Sequence, residues 1–128
     1  MHDEIEAVLR VDTERRRAFL VPVSPSANNL FITTRQGRRV TSQAYEAWKA
    51  EAGWRIKLQQ VQPLPGKSYA LTIAAPINHV RDLGNIEKAL SDLLVTMGII
   101  KDDRWIDDIH LIRTTEGKEM YVTLRALA

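Results

Sequence analysis

The most constraining feature of the chain is the spacing of apolar residues between Ile86 and Met97. Ile86, Ala89, Leu90, Leu93, Leu94 and Met97 fall at i, i+3, i+4, i+7, i+8 and i+11. That spacing is one face of a 3.6-residue period, so it predicts a helix buried along that face. Asn85 is placed to cap its start, and Gly98 sits where helices commonly end in a left-handed residue. A helix of this length is ~18 Å long. It separates two acidic turns, one at Asp82 and one at Asp102-Asp103. The apolar pair Ile99-Ile100 allows the chain to double back after Gly98, which would bring Asp102 and Asp103 beside Asp82. Carboxylates gathered in this way repel unless a cation lies between them. The stretch is therefore either a metal site or a set of solvated turns.

Composition limits the choice of metal. Cysteine is absent from the 128 residues and histidine occurs only as His2, His79 and His110. Disulfides and thiolate sites are excluded, and zinc is disfavoured, which leaves oxygen-ligated magnesium, manganese or calcium. The lack of cysteine also fits an intracellular protein. No apolar run approaches the ~18 to 20 residues needed to cross a membrane, and the start has no signal-peptide pattern. A chain of this length suits one domain with a true core. Net charge is only +2, but the basic residues cluster early, at Arg15-Arg16-Arg17 and at Arg35, Arg38 and Arg39, whereas acids gather in 82–108. Such a division suits holding a polyanion against a metal site, and is equally the pattern of solvated charged faces.

Along the chain, residues 1–16 read as an N-terminal extension, a short helix or strand, ahead of a domain over 17–128. Arg17 to Val23 has strand composition, with Pro22 marking an edge position or a strand end. Residues 24–29 form a loop, Leu30-Phe31-Ile32 a brief strand, and Arg35 to Arg39 a basic turn around Gly37. Thr41 or Ser42 caps a second helix, from Gln43 to about Val61. Its stripe of Ala44, Ala47, Trp48, Ala52, Trp54 and Leu58 is imperfect and broken by Gly53. Tyr69 to Ala75 alternates as a strand half exposed on one face. Trp105 to Thr114 and Glu119 to Leu127 read as strands joined through a hairpin turn at Glu116-Gly117-Lys118. The order implies an α+β domain, two main helices packed on one mixed sheet.

The 82–108 stretch resembles the signature of the RusA family of Holliday junction resolvases. Asp82-Leu83-Gly84-Asn85-Ile86-Glu87-Lys88 and Gly98-Ile99-Ile100-Lys101-Asp102-Asp103 follow that pattern without a gap, with Asp92 in register. Upstream, Pro25-Ser26-Ala27-Asn28-Asn29-Leu30-Phe31 is similar to the family's entry motif, followed by Gly37-Arg38-Arg39 and Ser42-Gln43-Ala44-Tyr45. The resemblance covers roughly residues 18–125. It implies a homodimeric, magnesium-dependent endonuclease (manganese a possible substitute) that nicks four-way junction DNA symmetrically. It also implies a cytoplasmic protein of bacterial, phage or prophage origin, serving recombination and repair. One position departs from the pattern: the family's second acid is Gly84 here. Asp92, Asp107, Asp108 or Glu87 are candidate substitutes, and phosphate or water can supply missing ligands, since magnesium needs only one or two carboxylates.

On this resemblance Asp82 and Asp103 bind the metal, Asp102 is a further ligand or orients water, and Lys88 stabilises developing negative charge. Ser26, Asn28, Asn29, Arg35, Arg38 and Arg39 are the candidate DNA contacts. Plainer readings stand beside these roles. Lys88 can simply pair with Asp92 one turn on, Asp102-Asp103 can be a turn before a strand, and Asn85 a cap. Asp107 and Asp108 suit the solvent side of a strand, His110 a surface position, and Trp48, Trp54 and Trp105 the core or a dimer contact. His79, near the first acidic turn, is a minor catalytic candidate. The central helix and the Tyr69–Ala75 strand are candidate dimer surfaces and equally candidate core. Two further readings remain: a junction-binding protein that cuts weakly or not at all because Gly84 removes a ligand, and a small α+β interaction domain.

Overall fold

The computed structural model describes residues 15–25, 31–77, 83–115 and 117–128, with the side chains of 83–85 and 115 excepted. The apolar stripe does form a helix, Leu83–Thr96, here called α2. Ile86, Ala89, Leu90, Leu93 and Leu94 are at most 2% exposed, and Met97 packs partly buried against the same core. Burial of each large side chain is worth about 1.5–3 kcal/mol, so this face alone anchors the helix. Gly98 ends it at φ +73°, in the left-handed region that glycine enters without cost. The start differs from expectation. The helix begins at Leu83, so Asn85 lies in its first turn with helical backbone and cannot be its cap. The residue bonded to Leu83 is Asp82, outside the described residues.

Helix α1 spans Gln43–Leu58. Ser42 caps it, its hydroxyl accepting from the Tyr45 amide at 3.0 Å. The buried stripe is Tyr45, Trp48, Ala52, Gly53 and Ile56, while Trp54 and Leu58 are each 61% exposed. The expected stripe therefore lay on the wrong side of the helix at both ends. Gly53 does not break it. Instead it gives closest approach to α2, where a Cβ would come within 3.2 Å of Met97 Sδ.

The main sheet has strands β1 (Arg16–Pro22), β4 (Tyr69–Pro76), β5 (Ile106–Thr115) and β6 (Glu119–Ala126) in the order β1-β6-β4-β5. Strands β2 (Phe31–Thr33) and β3 (Arg39–Thr41) pair separately, and a 3-10 turn (Asp103–Trp105) precedes β5. This is the expected α+β architecture: a mixed sheet with two helices among the described residues. β4 and β5 are parallel, so they need a crossover, and α2 supplies it. β6 is antiparallel to both β4 and β1.

One sequence expectation fails here and another holds in part. β5 and β6 are not a hairpin, because β4 lies between them and their connection crosses two strand spacings, roughly 10 Å. β4 does alternate as expected from Tyr69 to Ile73, with Ala70 and Thr72 half-buried, but it is buried on both faces from Ala74 to Pro76. Tyr69, Leu71 and Ile73 of β4 and the buried stripe of α2, offered as dimer contacts or core, are core, whereas Ala70 and Thr72 lie on the other face of β4.

The free edge of β1 is sealed from within. The Gln59 amide accepts from Leu20 N at 2.8 Å and donates to Leu20 O at 2.7 Å, while the Arg17 guanidinium donates to the carbonyls of Gln62 and Pro63. Among the described residues that leaves β5 as the open edge.

Candidate active site

Lys88 lies in the second turn of α2, flanked by buried Ile86, Ala89 and Leu90. Packing on those neighbours turns Lys88 to solvent. Its expected partner, Asp92, is engaged elsewhere. The Tyr45 hydroxyl donates to Asp92 Oδ2 at 3.0 Å, and Lys49 Nζ lies 3.6 Å from the same oxygen. Among the described residues no ion pair holds Lys88. Asp92 is thereby an α1–α2 tie rather than a spare ligand. Burial, reinforced by the Asp92 carboxylate, pushes the Tyr45 hydroxyl well above its ordinary pKa. Glu87 accepts from the Ser91 hydroxyl at 2.7 Å.

At the other end of α2, Asp102 caps the 3-10 turn that leads into β5, its carboxylate accepting from the Arg104 amide at 2.9 Å. The Arg104 guanidinium returns onto the same carboxylate, Nη2 to Oδ2 at 2.7 Å and Nε to both oxygens at 3.1 Å. These hydrogen bonds hold the Asp102 carboxyl below its usual pKa. Asp103, the first residue of the turn, stays exposed. Arg104 was not singled out from the sequence. Its signal was its place two residues after an aspartate, where a turn folds the side chain back.

The predicted doubling back after Gly98 does not occur. β5 starts level with Tyr69, the first residue of β4, while α2 begins beyond the last residue of β4. The ends of this 14-residue helix lie ~21 Å apart, so the Asp102-Asp103 turn sits at the end remote from Leu83. No three His, Asp or Glu side chains gather among the described residues. Asp82, Ser26, Asn28, Asn29 and His79 lie outside those residues. A hard divalent cation suits the oxygen donors present. Asp103 is open to one, whereas both oxygens of Asp102 are already taken by Arg104. Asp107 accepts from the Ser68 hydroxyl at 2.6 Å, and Asp108 lies 3.2 Å from His110 Nε2. Both fit the plainer reading, exposed strand residues, as does His110.

The basic turn joins β2 to β3. The Thr34 amide donates to Arg38 O at 2.8 Å, Gly37 adopts φ +80°, and Arg35, Arg38 and Arg39 are exposed. Arg39 stacks on Phe31, its guanidinium carbon 4.3 Å from the ring centre, and Phe31 packs edge-on to Tyr45. The β2–β3 unit is thus a cationic ribbon pinned to α1.

Among the described residues, an exposed lysine on a packed helix, an acidic turn and a cationic ribbon are the charged features of the surface. Comparison with known sequences assigns the chain a family. The family described as Endodeoxyribonuclease RusA matches residues 21–125. The crossover junction endodeoxyribonuclease RusA of Aquifex aeolicus (strain VF5) is 26% identical over 111 residues, covering 84% of this chain and 88% of that protein. The chain belongs to the RusA family of endodeoxyribonucleases, hydrolases acting on DNA.

Proposed function

We propose that the chain resolves four-way DNA junctions as a magnesium-dependent homodimer, placing paired symmetric nicks during recombination and repair in the cytoplasm. The observation that carries this reading is the family match over residues 21–125, which spans the acidic turns, Lys88 and the cationic ribbon together. In this reading residues 17–128 are the nuclease domain and residues 1–16 an extension.

Asp82 and Asp103 are the carboxylates assigned to magnesium, with manganese as a substitute. When bound, such an ion lowers the pKa of a water and relieves charge on the phosphate. Asp102, clamped by Arg104, orients the turn that presents Asp103. The Lys88 ammonium sits on a rigid helix and stabilises negative charge on the scissile phosphate. Arg35, Arg38 and Arg39 neutralise neighbouring phosphates and set the register of the duplex arms, with Ser26, Asn28 and Asn29 assigned beside them. Because α2 sets Asp103 a helix length from Leu83, the Asp82 and Asp103 carboxylates of one chain do not share a single ion. Gly84 leaves fewer carboxylates than the family pattern, which magnesium tolerates by keeping waters.

The test is cleavage of a labelled four-way junction in magnesium or manganese by the wild-type chain, Asp82→Asn and Lys88→Ala. Paired nicks that fall by about 100-fold or more in each variant support the assignment. Tight junction binding with no nicks by the wild-type chain would overturn it.

A further inference from the structure

α1 and α2 lie side by side, touching at Tyr45 and Asp92 and again near Gly53 and Met97. Each contributes one row of side chains to the seam between them. On α2 the row is Lys88, Asp92 and Thr96, four residues apart. On α1 it is Lys49, Gly53 and Lys57, spaced likewise. The rows meet where Lys49 Nζ lies 3.6 Å from Asp92 Oδ2. Past that tie, towards the C-terminal ends of both helices, Gly53 has no side chain to fill the seam. It opens there into a groove of about 590 Å³, lined among others by Glu46, Lys49, Trp54, Lys57, Thr96 and Met97.

Trp54 forms one wall of this groove and is 61% exposed, an indole that the core does not use. The charges beside it are unevenly spent. Lys49 is shared between Asp92 and Glu46, and Glu46 also accepts from the Thr41 hydroxyl. Lys57, by contrast, enters no ion pair among the described residues. The seam therefore carries an unpaired lysine at each end, Lys88 and Lys57, with Trp54 next to the second. It is also continuous with the cationic ribbon, because Arg39 stacks on Phe31 and Phe31 packs on Tyr45 at the Asp92 tie. An aromatic platform beside backbone cations is how sequence-independent binding of a single strand is built. Bases within a duplex are already stacked on both faces, so an exposed indole finds a free base only on an unpaired strand.

We infer that the α1–α2 groove holds a single DNA strand leaving the branch point, with a base stacked on Trp54 and the backbone on Lys57. Lys88 and Thr96 are eight residues apart on α2, ~12 Å along its axis, which a few nucleotides cover. The inference rests on the reading above, in which Lys88 faces the scissile phosphate, and adds a substrate feature to it. Branched DNA with an unpaired strand at the crossover gains a contact that fully paired arms do not make.

The probe is a short oligothymidylate, compared with a blunt duplex of equal length. Its binding is expected to quench indole fluorescence, since Trp54 stands in water whereas Trp48 is buried. Trp54→Ala should weaken strand binding about ten-fold more than duplex binding, whereas Trp54→Phe, which keeps an aromatic face, should hold strand affinity within about three-fold and lose the quenching. Both substitutions fall at an exposed position and spare the fold. Lys57→Ala should lower the slope of log affinity for the strand against log salt by about 0.7. Strand binding without quenching, or an equal loss for strand and duplex in Trp54→Ala, would overturn the groove. Self-association abolished by Trp54→Ala with strand binding intact would overturn it in favour of a protein contact. A wild-type chain that binds the strand through Trp54 and cuts no junction would overturn the resolvase reading and leave the groove standing.

Discussion

Single side chains decide whether the acids of this chain are available for chemistry. Asp92 and Asp102 each sit in the stretch that resembles the family signature, yet each is held by a cation, Asp92 by Lys49 of α1 and Asp102 by Arg104 two residues on. Asp103 is the carboxylate left open. Tyr45 joins the Asp92 set by donating from a largely buried hydroxyl, so Tyr45→Phe should cost about 1 kcal/mol in denaturant unfolding. The sign with pH follows from the raised folded-state pKa. The stabilisation is full below the unfolded tyrosine value of about 10, and falls as pH rises towards the folded value. Unfolding free energies measured across the alkaline range should therefore drop for the wild-type chain and drop less steeply for Tyr45→Phe, which keeps the buried Tyr69.

Secondary-structure elements were legible wherever one face alone is buried. The α2 period was complete in the sequence because every 3.6 residues must meet the core. The start of α2 was misplaced because Asn85 reads as a cap, although Leu83 at i−3 from Ile86 already continues the apolar repeat. α1 was harder to read. Alanines fall on both of its faces, and Gly53, taken as a break, is buried against α2. Its glycine backbone still carries the helix penalty of about 1 kcal/mol relative to alanine. Gly53→Ala should regain up to that amount, because the contact it creates is with the flexible end of Met97. A Tm below that of the wild-type chain would instead show that Met97 cannot yield. In β2–β3 the arginines stand on a ribbon rather than a loose loop. Arg38→Ala with Arg39→Ala should reduce the slope of log affinity against log salt by about 1.8 if both contact duplex phosphate. An unchanged slope would remove both from the interface.

At the scale of the whole molecule, pairing across the sheet arranged what local patterns could not. The strands nearest in sequence, β5 and β6, are separated by β4, and β1 closes against β6. The sheet order places Arg16 and Asp108 at opposite edges of one sheet, which no one-dimensional charge pattern reveals. It also holds the Asp102-Asp103 turn one helix length from Leu83. Junction cleavage by the wild-type chain should accordingly scale with the dimer fraction, which can be measured by titrating protein across the dimer dissociation constant. The sequence by itself determined most of the elements and the family, since periodicity and motif spacing are local properties of the chain. The tertiary structure alone decided which strands pair, which acids are already neutralised and which exposed side chains share a groove, because those depend on side chains brought together from distant positions by burial of the core.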